Sequence, residues 1–258
     1  MSRRPGISVR TPPTHSVRCA ESCSAVMPAP CRRCSPRKPL RGEARSRRRR
    51  GGCRRTVACV DRPTEDIDGC QAAHSRLAAA INDLPDAVVR QPSLLPDWTV
   101  GHVLTHLARN AEAMVRRIEA ATRGELIDQY PGGARGRAAE IEAGADRPAH
   151  ELITDVRNWA QRLDAVFGSL PDDLWSHQVR SLQGSEHPIA QLPFHRWWEV
   201  EVHLVDLGIG LTPEDWTQQL VDRALPWLIA GLRDRADDRS LMAWMLDRSS
   251  PPNLDPWR

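Results

Sequence analysis

The chain has 258 residues, enough for one or two domains, with nine Trp but only one Tyr and two Phe. Its net charge of +3 hides two unlike parts: residues 1–60 hold sixteen basic against two acidic residues (+14), and the remainder holds twenty against thirty-one (−11). Six of the seven cysteines fall in the first sixty residues, which excludes a disulfide framework for the rest and fits a reducing cytoplasm; no apolar run nears the roughly 18 residues that cross a bilayer, and Arg, Pro and Ser interrupt anything that could serve as a secretory signal.

Residues 1–60 read as a disordered, Arg-rich extension. They have no hydrophobic period and cannot bury enough apolar surface to offset the entropy of ordering. The run RSRRRRGGCRR at 45–55 could bind nucleic acid as a basic tail. Cys31 and Cys34 could form half of a zinc site. No aromatic residue interleaves the arginines, and no second Cys or His pair sits at knuckle spacing, so neither is the preferred reading. Ordered patterning starts just after Val57 and Val60, either of which would suit as the true start of the protein.

A bundle domain is expected over 61–210. Ile67, Cys70, His74, Leu77, Ala78, Ile81 and Leu84 recur at three and four, which predicts an amphipathic helix over 65–84. After a Pro-containing loop, Thr99 can cap a second helix whose inner stripe is Val103, Leu107, Asn110, Met114 and Ile118, with Gly124 as its stop. Residues 125–147 predict a long surface loop holding a short helical piece around Arg137–Ala143. Leu152, Val156, Trp159, Leu163 and Phe167 mark a third helix over about 149–168. LPDDLW at 170–175 reads as a turn into a short helix, and 176–190 as irregular or extended. A fourth helix covers about 193–207. Four helices with long connections predict an all-α four-helix bundle with a site between facing helices. Residues 211–258 predict a short helical extension, too small for its own core, that packs on the bundle.

Glu199 and His203 are four apart on the fourth helix, which stacks them on one face. His195 lies one turn earlier on the same stripe. His102 and His106 form another such pair on the second helix. A histidine from there could complete a two-histidine, one-carboxylate metal site with a position left open for chemistry. Such donors suit Zn²⁺ and other divalent first-row ions. The alternative is a set of satisfied helix-surface histidines. Glu201 and Asp206 lie on other faces and read as solvated, or as groups orienting a ligand from behind.

From about residue 65 to 216 the chain resembles the mycothiol-dependent maleylpyruvate isomerase family, whose metal-binding domain is a DinB-like four-helix bundle. The pieces that carry this are LLPDWTVGHVLTHLARNAEAMVR, QYPGGARGRAAEIEAGADRP and LPFHRWWEVEVHLVDLGIGLTPEDW. The resemblance implies a divalent metal, usually zinc, on His106, Glu199 and His203. His102 is then structural, or supports a ligand. His195 and Trp198 stand where relatives often carry arginine. Asn110, Arg196 and Arg109 are the polar candidates for binding substrate or thiol, since an arginine fork matches a carboxylate.

The family reaction converts maleylpyruvate to fumarylpyruvate. A thiolate adds to the conjugated alkene, the carbon–carbon bond rotates, and elimination returns the trans product. Cys70 reads as a small core residue, so the thiol is expected from outside, as mycothiol. The implied protein is an actinobacterial-type cytoplasmic metalloenzyme whose partners are mycothiol and a small substrate, with no membrane and no nucleic acid. Full-length relatives add a sterol-carrier-like domain that helps form the site; Arg248 could replace an arginine from it. The competing readings are a mycothiol S-transferase acting on other electrophiles, a non-catalytic metal-binding bundle, and a nucleic-acid binder using the basic tail.

Overall fold

A computed structural model of the protein describes residues 60–255. The basic extension, with its arginine run and the Cys31 and Cys34 pair, lies outside them save for Val60.

Helix α1 spans Thr64–Ala80 and buries Ile67, Cys70, Ala73, His74 and Leu77 along one stripe. It is shorter than the expected 65–84. Pro85 disfavours helical backbone at Leu84, and Leu84 N–H closes a turn onto the Ile81 carbonyl at 3.4 Å. Ile81 stays fully buried beyond the helix end. A short α2, Asp86–Val89, leads to α3, Val100–Thr122. Thr99 caps α3 as its sequence predicts: its hydroxyl accepts from His102 N–H at 3.3 Å, and the His102 ring returns the favour by accepting from Thr99 N–H at 3.2 Å. Val103, Leu107, Asn110, Met114 and Ile118 are all buried.

The short helical piece expected around Arg137–Ala143 on a surface loop is a longer helix, α4, Gly133–Ala145, which packs on α3 with Ile141 and Ala145 buried. The two helices meet through glycine. A methyl group at Gly101 would collide with the Ala145 carbonyl oxygen, and one at Gly144 would stand 2.6 Å from Thr105 Cγ2. Contact made by backbone rather than by large apolar side chains leaves little periodic signal. Gly101→Ala is therefore expected to lower stability by about 1–3 kcal/mol through overpacking. Gly168→Ala on α5, where an added methyl meets nothing within 4 Å, should raise it. Thermal unfolding of the two variants checks both signs.

Helix α5, Ala149–Ser169, buries Leu152, Val156, Ala160, Leu163 and Phe167. A 3₁₀ turn at Asp172–Ser176 drives Trp175 into the core. Strands β1, Gln178–Arg180, and β2, Glu186–Pro188, form a small antiparallel hairpin with Val179 opposite His187. Helix α6 then runs Leu192–Asp206. The four long helices close a ring: α1 packs on α6, α6 on α3, α3 on α5 and α5 on α1. Leu107, Leu152, Leu163, Phe167, Val200 and Leu204 fill its middle.

The C-terminal extension comprises α7, Gln218–Ala230, and α8, Asp238–Met245. Its first part docks on the bundle. Trp216 Nε1 donates to the Glu201 carbonyl at 3.1 Å, Arg223 grips Asp66 at 2.8 Å, and Leu220 and Ala224 are buried. Its later part is looser, with Leu225, Ile229, Met242 and Met245 exposed. Among the described residues, no helix is long and apolar enough to cross a membrane.

Candidate metal centre

Helices α3 and α6 bring His106, Glu199 and His203 to one buried point. His106 Nε2 lies 2.6 Å from Glu199 Oε1 and 3.1 Å from His203 Nε2, and His203 Nε2 lies 3.7 Å from the same carboxylate oxygen. All three residues are buried. The two imidazoles cross at 88° with centroids 4.8 Å apart, and Trp98 sets its ring edge-on to His106 at 5.7 Å.

Each donor is held from behind. His203 Nδ1 donates to Asp206 Oδ2 at 2.8 Å, which leaves the Nε2 lone pair facing the cluster. Asn110 Nδ2 donates to Glu199 Oε1 at 3.3 Å. Arg137, on α4, places a guanidinium nitrogen 3.2 Å from His106 Nδ1 and rests 6.0 Å from the Trp98 ring centroid. Burial, then the Arg137 charge, lowers the His106 pKa to about 3. Burial alone would raise the Glu199 carboxyl, but its close approach to His106 and His203 outweighs it and holds the group below the ordinary range.

This donor set fits a divalent ion. His106 is uncharged and Glu199 ionised at ordinary pH, the charge states in which both bind metal; Arg137 has donors only, so in this structure His106 Nδ1 accepts from it and the ring proton sits on Nε2 toward Glu199. Donors about 2.1 Å from a tetrahedral zinc stand about 3.4 Å from each other. Two of the three separations are already close to that, and the His106–Glu199 pair needs to open by less than about 1 Å.

Other sequence candidates fall elsewhere. His102 spends Nδ1 on capping α3 and sets Nε2 3.2 Å from Glu142, so both ring nitrogens are turned to partners other than the three donors. Arg109 does not approach the cluster. Three residues from His106 it turns toward α5, where it grips Asp155 at 2.8 Å, whereas Asn110, four residues on, faces inward. Arg196, a candidate for binding substrate or thiol, lies wholly inside the bundle. His195 lies off the cluster against His187, ring centroids 5.2 Å apart. Glu201, expected to be solvated, is buried and takes both oxygens to Arg76 at 2.8 Å. Arg248 is exposed and bonds the nearby Leu246 carbonyl. Sequence reasoning missed Arg137 and Trp98. Trp98 stood in a recognised motif, one residue before the cap; Arg137 opened a short helical piece that was expected on the surface, away from the bundle core.

A buried two-histidine, one-carboxylate cluster across the seam of an all-α four-helix bundle defines a bundle protein whose site is assembled between facing helices. The sequence profile of the mycothiol maleylpyruvate isomerase N-terminal domain matches residues 70–208, more than half of the chain, and the chain belongs to this family. Two solved structures are similar. One, a mycothiol-dependent maleylpyruvate isomerase, is 28% identical with a TM-score of 0.59, covering 62% of this chain and 66% of that one. The chain thus spans just under two thirds of that isomerase's length. The other, a single-site mutant of the mycothiol-dependent maleylpyruvate isomerase, is 24% identical with a TM-score of 0.63, covering 75% and 80%, a likeness of fold. A search of curated proteins gives no match.

Proposed function

We propose that the chain is a mycothiol-dependent metalloenzyme of the maleylpyruvate isomerase type. The observation that carries this is the convergence of His106 Nε2, Glu199 Oε1 and His203 Nε2 at one buried point, in a chain of this family. These three residues would hold a divalent ion, zinc by its donor preferences. When bound, the ion supplies Lewis-acid charge and mycothiol supplies the sulfur that makes the double bond temporarily single.

The chain's own residues prepare the site. Asp206 fixes the His203 tautomer, and Asn110 keeps the Glu199 carboxylate turned inward. Arg137 and Trp98 stand beside His106, where a guanidinium charge attracts an anionic substrate. Cys70 is no nucleophile: burial pushes its thiol far above the usual range, so it stays protonated. A thiol from outside the chain agrees with that.

The test is turnover of maleylpyruvate with and without mycothiol, beside conjugation of mycothiol to a panel of electrophiles. Isomerisation that requires both thiol and metal is the expected result. Conjugation without isomerisation would replace the isomerase reading with that of a mycothiol S-transferase. Metal binding with neither activity would leave a non-catalytic metal-binding bundle and overturn the enzyme reading.

A further inference from the structure

The bundle core contains an arginine, and arginine has donors only. Arg196 is 0% exposed. Its Nε donates to His74 Nε2 at 2.9 Å, and one terminal nitrogen donates to the Leu107 carbonyl at 2.9 Å and Asn110 Oδ1 at 3.0 Å. These directions dictate the rest. His74 must accept at Nε2, so its proton sits on Nδ1 and goes to Asp164 Oδ1 at 2.9 Å. Asn110 must turn its oxygen to Arg196, so its NH₂ faces Glu199 Oε1 at 3.3 Å. The result is a thread of hydrogen bonds through all four bundle helices: Asp164 on α5, His74 on α1, Arg196 on α6, Asn110 on α3, and back to Glu199 on α6. It begins near solvent, since the Asp164 side chain is 26% exposed.

The same region holds a second group of metal-type donors, Cys70, His74 and Asp164. It does not suit an ion. His74 faces Asp164 with Nδ1 and Cys70 with Nε2, the latter at 4.0 Å, so one ion cannot meet all three. Its Nε2 lone pair is already taken by Arg196, whose charge repels a cation. Burial lowers the His74 pKa first, and the Arg196 charge lowers it further. A neutral imidazole with a fixed tautomer is a relay of orientation, not a ligand.

We propose that Asp164 and His74 are positioning residues for the metal centre. They lock Arg196; Arg196 locks the Asn110 amide; the amide holds Glu199 Oε1 toward His106 and His203. This rests on the metal reading above. Without Asp164, the His74 proton is free to move to Nε2, where it opposes the Arg196 N–H and releases the guanidinium. Asp164 touches no donor of the cluster, so a merely structural role would leave metal affinity unchanged.

The experiment uses the full chain and Zn²⁺, with affinity measured by competition against a chelator and folding checked by thermal unfolding. Asp164→Ala and His74→Phe are expected to bind zinc about 10–100-fold more weakly, the range typical of groups that orient a ligand. Asp164→Asn keeps an acceptor and His74→Gln keeps both an acceptor and a donor, so each should stay within about threefold of the wild type. Folded Asp164→Ala that binds zinc as tightly as the wild type overturns the proposal. If the wild type itself binds no zinc, the metal reading fails separately, and the thread is judged in the metal-free protein. There, Asp164→Ala must shift the side-chain amide resonances of Asn110, and unmoved resonances overturn the thread as well.

Discussion

His106→Ala, Glu199→Ala and His203→Ala are each expected to lose stoichiometric zinc, while His102→Ala retains it. A four-coordinate zinc site is worth about 10–16 kcal/mol, or roughly 3 kcal/mol per donor, so removing one protein donor of three weakens binding by more than about a hundredfold. The three losses should be alike, because the donors share one centre: His106 Nε2 is 2.6 Å from Glu199 Oε1 and 3.1 Å from His203 Nε2. His102 differs in kind. Its ring serves Thr99 and Glu142, and its loss removes only the reciprocal half of the α3 capping box, leaving the Thr99 cap and the ion in place. Metal analysis of the four purified variants decides the matter. Zinc retained at one ion per chain in all three cluster variants would refute the ligand assignment.

Acid is expected to unfold the metal-free protein at or just above the pH at which ordinary carboxylates titrate. Burial lowers His106 to about 3, His187 to about 4 and His195 to about 3, with neighbouring Arg or His charges adding to the effect. In the unfolded chain these rings titrate near 6.5. Groups kept neutral by the fold favour the folded state at high pH, and this contribution is lost as pH falls below about 6.5, where the unfolded chain takes up protons that the native one refuses. Three such rings remove roughly 4 kcal/mol per pH unit once well below that value. Native stabilities are about 5–15 kcal/mol, so cooperative unfolding is expected between about pH 5 and 4. Depression of Glu199 acts in the same direction at still lower pH. Tryptophan fluorescence against pH measures the transition. A native signal that persists to pH 3 would contradict the burial of these rings as neutral species.

Much of the architecture was legible before any coordinates. The stripes of α3, α5 and α6 were readable because large apolar residues recur at helical spacing, and the Thr99 cap because a hydroxyl precedes an apolar period. Helix α4 was read only in part, as a short piece around Arg137–Ala143 on a surface loop, because Gly101 and Gly144 let it pack through backbone, and the approach of Arg137 to His106 was hidden with that packing. The cluster His106, Glu199 and His203 was reachable from spacing joined to family resemblance; spacing alone left His102 and His195 in contention. Arg109 was misplaced because three residues and four residues along a helix were treated as equivalent, whereas the two positions flank the ligand on opposite sides. Arg196 was read as a polar candidate for binding substrate or thiol, and its full burial was not foreseen because arginine is seldom interior. The polar groups that make its burial tolerable, His74 and Asn110, lie on other helices, and no local pattern joins them.

The donors of the cluster come from two helices, and His106 stands more than ninety residues of chain before the other two. During synthesis, a nascent polypeptide that ends before α6 offers a single imidazole of the set, which cannot compete for an ion. The other two donors emerge together on the last bundle helix to be made. On the proposed metal reading, cation capture would be reserved for a molecule that has made its fourth bundle helix, and a half-made one would not scavenge metal from the cell.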